Sequence, residues 1–256
     1  MKRGMDITVA LLGLLALFPA LAAISLAIWI EDRRNPLFLG WRVTRGGGTF
    51  RMVKFRSMAP DAWRTGVHST AEGDRRITRV GRFLRRRKLD ELPQLWNVLN
   101  GTMSLVGPRP QVRTDAELYT GEECRMLTVT PGITDLASIV FADEGDILAG
   151  SPDPDLLYNQ IIRPWKSRLA LLYVEHRSLS KDVEILFATV LQLISRRRAL
   201  AQVERMLRAW NAEPLVVKTA RRNEPLIPYP PPGATAIVSR YPRAEAHATS
   251  AAQAAS

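Results

Sequence analysis

From Ile7 to Ile30 the chain reads ITVALLGLLALFPALAAISLAIWI without a charged residue. At about 1.5 Å per helical residue, such a run is long enough to cross a hydrocarbon core. Pro19 falls near its middle, where proline removes one helical hydrogen bond and crowds the preceding turn, so the pattern predicts a kinked membrane-embedded helix over residues 1–36. The run is longer than the apolar part of a signal peptide, and the following WIEDRRNP lacks a small-residue cleavage site. Lys2 and Arg3 precede the run while Arg33 and Arg34 follow it, so the positive-inside rule does not separate its two sides. A tilted single span and a re-entrant hairpin with both ends at one face both satisfy this pattern.

Beyond it the periodicity changes. WRVTRGGGTFRMVKFRSM predicts a β-hairpin with strands over Trp41–Thr44 and Thr49–Phe55, turning at Gly46–Gly48. Ala59–Arg75 is polar and irregular, as for a surface loop over a site. Val80, Phe83, Leu84 and Leu89 predict a basic amphipathic helix up to Leu92, before Pro93. A short helix ending near Gly101, a turn-rich Gly107–Pro110 segment, and a turn at Pro131 and Gly132 leading into a short strand follow. From Pro154 the pattern is helical, bent or broken at Pro164. A second helix carries Leu186, Val190, Leu193 and Ile194 on one face, which we assign to core packing with lipid contact as the alternative, and ends in Arg196–Arg198 as suits a helix C-terminus. Residues 223–256 are rich in Pro, Ala and Ser and are expected to be a largely disordered tail. The fold class is α+β, mostly helical with a small β-hairpin.

Composition narrows the partners. The 256 residues carry a formal net charge of +11, which favours phosphate-rich partners: nucleic acid, an anionic membrane surface or phosphorylated small molecules. Cys124 is the only cysteine, which excludes an internal disulfide; with only His68, His176 and His247 beside it, a Cys/His zinc site is excluded as well. The glycine turn is not followed by a P-loop signature, ADEGD at Ala142–Asp146 lacks EF-hand spacing, and no helix-turn-helix or RNP pattern accompanies the basic-aromatic hairpin, so nucleic acid is not expected as a partner.

The chemistry concentrates in KLDELPQLWNVL, where Asp90 and Glu91 stand between a run of cations and a proline. On a regular helix the two carboxylates diverge by roughly 100°. Pro93 withholds an amide and distorts the backbone beside them. Arg86 lies four residues before Asp90, close enough on a helix to keep it ionised. An ionised aspartate among arginines suits attack on a phosphorus whose charge they neutralise; the same spacing is satisfied by a solvated face of helix ion pairs. Lys54 and Arg56 alternate along a strand and suit a diphosphate clamp, and Arg109 is held between Pro108 and Pro110 as a phosphate ligand.

Together KFRSM, RVGRFLRRRKLDELPQLWNVLNGTMSLVGPRP and PGIT closely resemble the bacterial sugar transferase family, the monotopic polyprenyl-phosphate phosphoglycosyl transferases, from about Leu11 to about Arg198. The resemblance implies transfer of a sugar 1-phosphate from a UDP-sugar to undecaprenyl phosphate with release of UMP and use of Mg2+. It also implies a re-entrant helix in the bacterial inner-membrane lipid, with residues 37–222 as a catalytic domain on the cytoplasmic face. In that light Asp90 is the nucleophile of a covalent phosphosugar intermediate and Glu91 helps to hold Mg2+ or orients the attacking phosphate. Arg85 and Arg109 meet phosphates, with Arg86 as the alternative that helical spacing favours. Phe18, Thr102 and Asp135 depart from the family pattern, where serine, an acid and glycine are common. The rival readings are the same transfer through a direct ternary complex, with Asp90 as a metal ligand or base, and a non-enzymatic basic membrane adaptor; the sequence leaves the sugar, the glycan and the oligomeric state open.

Overall fold

The structure, a computed structural model, describes residues 1–62, 69–71 and 73–241. Part of the predicted loop over Ala59–Arg75 and the end of the predicted tail lie outside the described residues. Helix α1 spans Lys2–Asp32 and stays helical through Pro19. Leu12, Leu15 and Phe18 along its middle are exposed, whereas Asp6, Ala10 and Ile28 towards its ends are buried.

Those ends are fastened to one body. Lys2 Nζ donates to Asp182 Oδ2 at 2.6 Å and to the Val106 carbonyl at 3.0 Å, and Arg3 donates to the Val98 and Leu99 carbonyls. Asp6 accepts from Ser104 Oγ at 2.8 Å and the Leu105 amide at 3.1 Å. At the other end Asp32 pairs with Arg56, Glu31 accepts the Arg79 amide at 2.8 Å, and Ile28 packs on Phe55 and Leu84.

Strands β1, Leu37–Val43, and β2, Thr49–Phe55, form the antiparallel hairpin, with Gly46 and Gly47 at φ 77° and 81° in the turn. The first strand begins four residues before its predicted start because Leu37 pairs with Phe55. Helix α2 covers only Arg79–Arg86, not the span to Leu92. Leu84 and Leu89 both pack in the cluster with Ile28 and Phe55, yet five residues apart on a regular helix they would point about 140° apart. A break at Lys88, at φ 54°, brings both to the same side. A 3₁₀ turn, Leu89–Glu91, follows, and Pro93 precedes α3, Gln94–Leu99.

The short strand β3, Ser104–Val106, leads to α4, Arg113–Ala116, and pairs in parallel with β4, Gly132–Thr134; the pattern had shown only the second of these strands. Gly107 and Gly132 approach so closely that a Cβ on Gly132 would lie 2.1 Å from the Gly107 amide nitrogen. Helix α5, Leu136–Val140, starts at Asp135, whose side chain accepts the Ser138 amide at 2.6 Å. Single turns α6, Glu144–Ile147, and α7, Pro154–Leu157, and a π turn lead into α8, Arg163–His176, which Pro164 opens and does not bend.

Trp165, Leu169 and Tyr173 of α8 form the core with Leu136, Ile139 and Val140 of α5 and with Val203, Met206 and Leu207 of α10, Arg196–Ala209. Between them α9, Leu179–Ile194, turns Asp182, Ile185 and Ala188 inward. Its Val183, Phe187, Val190, Leu193 and Ile194 are exposed, so the face assigned to core packing is only partly so, through Leu186. Arg196–Arg198 open α10 behind the Ser195 cap instead of closing α9; Arg196 is held there by Asp143 at 2.7 Å. Helix α11 is Pro214–Ala220. Residues 223–241, expected to be disordered, lie along the domain, with Leu226 and Tyr229 packed on the core and Tyr241 buried.

Because the Gly107–Gly132 approach sets where the next two residues turn, Gly132→Ala is expected to cost about 1–3 kcal/mol or more through backbone displacement. Denaturant unfolding in detergent checks this; unchanged stability would contradict the close approach.

Candidate active site

Two turns meet at the site. The break at Lys88 aims the Leu89–Glu91 turn inward, and the proline-flanked turn after β3 brings Arg109 to it. A non-glycine residue at positive φ is strained, and such strain persists where surrounding contacts hold it; here Lys88 Nζ donates to the Ser138 carbonyl at 3.4 Å and Leu89 packs behind.

The adjacent carboxylates have different environments. Glu91 is gripped by both terminal nitrogens of Arg109, one at 3.1 Å, and lies 3.5 Å from Lys54 Nζ. Burial works to raise its pKa, but Arg109 and Lys54 outweigh it and hold the carboxyl down to about 2. Asp90 is 6 % exposed, and among the described residues no hydrogen bond or ion pair holds its carboxylate. Burial and the neighbouring Glu91 raise its pKa above the usual aspartate range, against the pull of Lys54, Arg85 and Arg109. One carboxylate is thus fixed and ionised, and the other is free, more basic and surrounded by cations.

Lys54 is brought to the site as expected. Burial lowers its pKa to about 8 while Glu91 opposes the shift. Arg109 is desolvated too, yet Glu91, Asp135 and Asp90 keep it protonated. Arg85 acts on Asp90, whereas Arg86 sits on the exposed side of α2, because the helix ends before the spacing that favoured it can apply. Arg56 does not reach the site: β2 stops at Phe55, and the guanidinium turns to Asp32, with Nη2 at 2.7 Å, and to the Asn35 carbonyl at 2.8 Å. Pro19 stands in α1, away from this cluster.

Arg42 escaped the sequence reading, and Asp135 entered it only as a departure from the family pattern. Arg42 adds a cation whose charge acts on Lys54; burial and Arg109 lower its own pKa to about 10. The hairpin register, Phe38↔Lys54 and Arg42↔Phe50, places Arg42 and Lys54 on one face, a signal visible once β1 is started at Leu37. Asp135 adopts φ −157°, an extended backbone open to any residue, so its replacement of glycine does not disturb the turn. Among the described residues the Gln94 amide, fully buried directly after the DELP stretch, has no hydrogen-bond partner for either polar atom. Thr102 instead serves the α3–β3 turn, its hydroxyl bonded to Asn100 Oδ1 at 2.7 Å and to the Asn97 carbonyl.

Beside Arg109 opens a cleft lined by Gln111, Asp115, Tyr119, Tyr158 and Lys166. Burial raises the pKa of both tyrosines, so they remain neutral hydroxyls. The site therefore joins a cationic centre to a polar cleft with aromatic walls, an arrangement that accepts a diphosphate at one end and a neutral hydrogen-bonding group at the other.

A buried cationic centre around two adjacent carboxylates suits phosphate chemistry, and residues 1–196 match the bacterial sugar transferase family, to which the chain belongs. A UDP-N-acetylgalactosamine-undecaprenyl-phosphate N-acetylgalactosaminephosphotransferase of Aeromonas hydrophila is 34% identical over 197 residues, 76% of this chain and 44% of that protein. An undecaprenyl-phosphate glucose phosphotransferase of Komagataeibacter xylinus is 38% identical over 205 residues, 77% of this chain and 36% of the relative. A UDP-glucose:undecaprenyl-phosphate glucose-1-phosphate transferase of Caulobacter vibrioides is 36% identical over 202 residues, 77% of this chain and 71% of the relative. The chain thus spans less than half the length of the first two.

Charge-assisted contacts of this kind are each worth about 1.5–3 kcal/mol. Lys54→Met and Arg109→Met should therefore weaken binding of inorganic diphosphate about tenfold or more, while Arg56→Met leaves it within about twofold. Titration calorimetry distinguishes them; equal losses in all three would contradict the placement of Arg56.

Proposed function

We propose that the chain moves a sugar 1-phosphate from a UDP-sugar onto undecaprenyl phosphate, releasing UMP and starting a membrane-linked glycan such as an exopolysaccharide, capsule, O-antigen or glycoprotein glycan. Family membership and the names of the relatives support the reaction class. The observation that carries the mechanism is the buried Asp90 carboxylate, without a hydrogen-bond or ion-pair partner among the described residues, beside a Glu91 already held by Arg109 and Lys54.

An Asp90 oxygen attacks the sugar-bearing phosphorus; a bond forms to Asp90, the phosphorus–oxygen bond to UMP breaks, and UMP leaves with that electron pair. An oxygen of the polyprenyl phosphate then attacks the same phosphorus, and the bond to Asp90 breaks to restore the carboxylate. Arg109, Lys54 and Arg85 neutralise charge on the phosphoryl oxygens in both steps. Glu91 holds Arg109 and Lys54 in place through their mutual attraction.

Asp90 and Glu91 are hard oxygen donors, and among the described residues no cluster of three or more metal-ligating side chains stands with them. That set fits Mg2+ carried with substrate phosphates and does not fit an all-protein cage. When bound, Mg2+ supplies further neutralisation of phosphate charge.

The re-entrant topology rests on the fastening of α1. Lys2, Arg3 and Asp6 at one end, and Glu31 and Asp32 at the other, hydrogen-bond to the same domain, whereas a span would set its ends on opposite faces of a core about 30 Å thick. The exposed apolar middle then dips into the inner membrane, leaving the domain on the cytoplasmic side. The apolar face of α9, joined to the start of α1 through Lys2 and Asp182, lies against the lipid.

Purified protein given a panel of UDP-sugars with Mg2+ should release about one UMP per enzyme without lipid and turn over only when undecaprenyl phosphate is added. Asp90→Asn should lose about 10³-fold or more of both. Release that strictly requires lipid would retain the transfer and exclude the covalent route, and silence from folded protein across the panel would favour the adaptor. In a Cys124→Ser background, cysteines placed at Gly4 and at Asn35 should both react with an impermeant maleimide only after the cytoplasmic face is opened; reaction of one from outside would exclude the hairpin.

A further inference from the structure

Residues 223–241 lie beyond the part of the chain that matches the family, residues 1–196, yet they bind the domain through a series of specific contacts. Tyr229 stacks on Trp165 of α8 with ring centroids 4.6 Å apart, and its amide donates to the Gln160 carbonyl at 3.0 Å. Arg168 Nη1 donates to the Pro230 carbonyl at 2.9 Å, with its guanidinium 4.8 Å from the Tyr229 ring centroid. The segment then crosses to the other side of the cleft. Thr120 Oγ1 donates to the Pro232 carbonyl at 2.5 Å, Gln160 Nε2 donates to the Val238 carbonyl at 2.9 Å, and Tyr241 donates its hydroxyl to Asp115 Oδ1 at 2.7 Å.

The two sides joined in this way are the walls of the cleft beside Arg109. Asp115 and Tyr119 line one wall, and Tyr158, Arg163 and Lys166 the other. Consecutive prolines at Pro230–Pro232 restrict the backbone before it docks, so ordering the strap costs less conformational entropy than a flexible tail of the same length. Asp115 is an acceptor facing the cleft, and a hydroxyl donated to one of its oxygens fixes how the carboxylate is turned.

We propose that the 223–241 strap is a positioning element of the donor cleft: it staples the Asp115–Thr120 wall to the α7–α8 wall, and Tyr241 sets the orientation of Asp115 as an acceptor for hydroxyl or imide groups of the sugar nucleotide. This rests on the reading that the cleft receives the nucleotide-sugar donor. Among the described residues no hydrogen bond or ion pair joins the strap to Asp90, Lys54, Arg85 or Arg109, so it acts on donor binding and not on the phosphoryl transfer itself.

The test uses full-length protein in lipid nanodiscs, comparing wild type with Tyr241→Phe, which keeps the buried ring and removes only the donated proton, and with Thr120→Val. Each variant should raise KM for the UDP-sugar about tenfold, the effect of losing a hydrogen bond to a charged or carbonyl acceptor. In each, kcat should stay within about twofold and KM for undecaprenyl phosphate should be unchanged. Hydrogen exchange of residues 115–123 should accelerate in both variants while exchange in β1 and β2 does not change. Unaltered exchange at 115–123, equal changes in both KM values, or a gain in activity would each overturn the proposal. If wild-type protein consumes no UDP-sugar, the transferase reading fails, and the exchange measurement still decides whether the strap staples the walls.

Discussion

The site depends on one ion pair between two turns. Glu91 belongs to the turn that follows the strained Lys88, Arg109 to the turn that follows β3, and their paired contact is what makes the two turns one site. Both groups are largely withdrawn from water, so removing either partner would leave the other charge desolvated and uncompensated, which costs more than the pair contributes. That asymmetry keeps the turns together. It also leaves Asp90, the neighbour of Glu91, without a hydrogen-bond or ion-pair partner among the described residues, in the same field of cations.

Several other features serve that arrangement. Gly107 and Gly132 let β3 and β4 approach closely enough to place the proline-flanked turn. Asp135 caps α5 and adds its charge beside Arg109. Asn97 ties α3 to the hairpin by accepting the Val53 amide at 2.8 Å and donating to the Arg51 carbonyl at 2.9 Å, which carries Lys54 to Glu91. Helix α1 joins the same frame, since Asp6 holds Ser104 and Leu105 of β3, two residues before the turn that carries Arg109.

Much of this was legible in the sequence because it is local. The uncharged run of α1, the glycine turn of the hairpin, the DE pair and the Pro-Arg-Pro turn each announce themselves within a few residues. What escaped depends on contacts distant in the chain. Nothing near Lys88 shows that Leu84 and Leu89 must face Ile28 of α1, so the sequence pattern carries α2 through the break and gives Arg86 a spacing it does not have. Arg56 alternates correctly with Lys54, but Asp32, far upstream, captures it. The apolar stripe of α9 reads as core by periodicity, although periodicity identifies an apolar face without saying what covers it. The proline-rich strap has the composition of a disordered tail and is ordered by Trp165, Arg168 and Asp115, which its own residues do not reveal.

The central claim is a division of labour between adjacent carboxylates, with Glu91 structural and Asp90 reactive. Peptide mass spectrometry of wild-type protein quenched in acid after mixing with a UDP-sugar, without lipid, tests it most directly. The account predicts a sugar-phosphate adduct on Asp90, sensitive to hydroxylamine and lost when undecaprenyl phosphate is added. An adduct on Glu91, or none in protein that turns over fully once lipid is supplied, would contradict it.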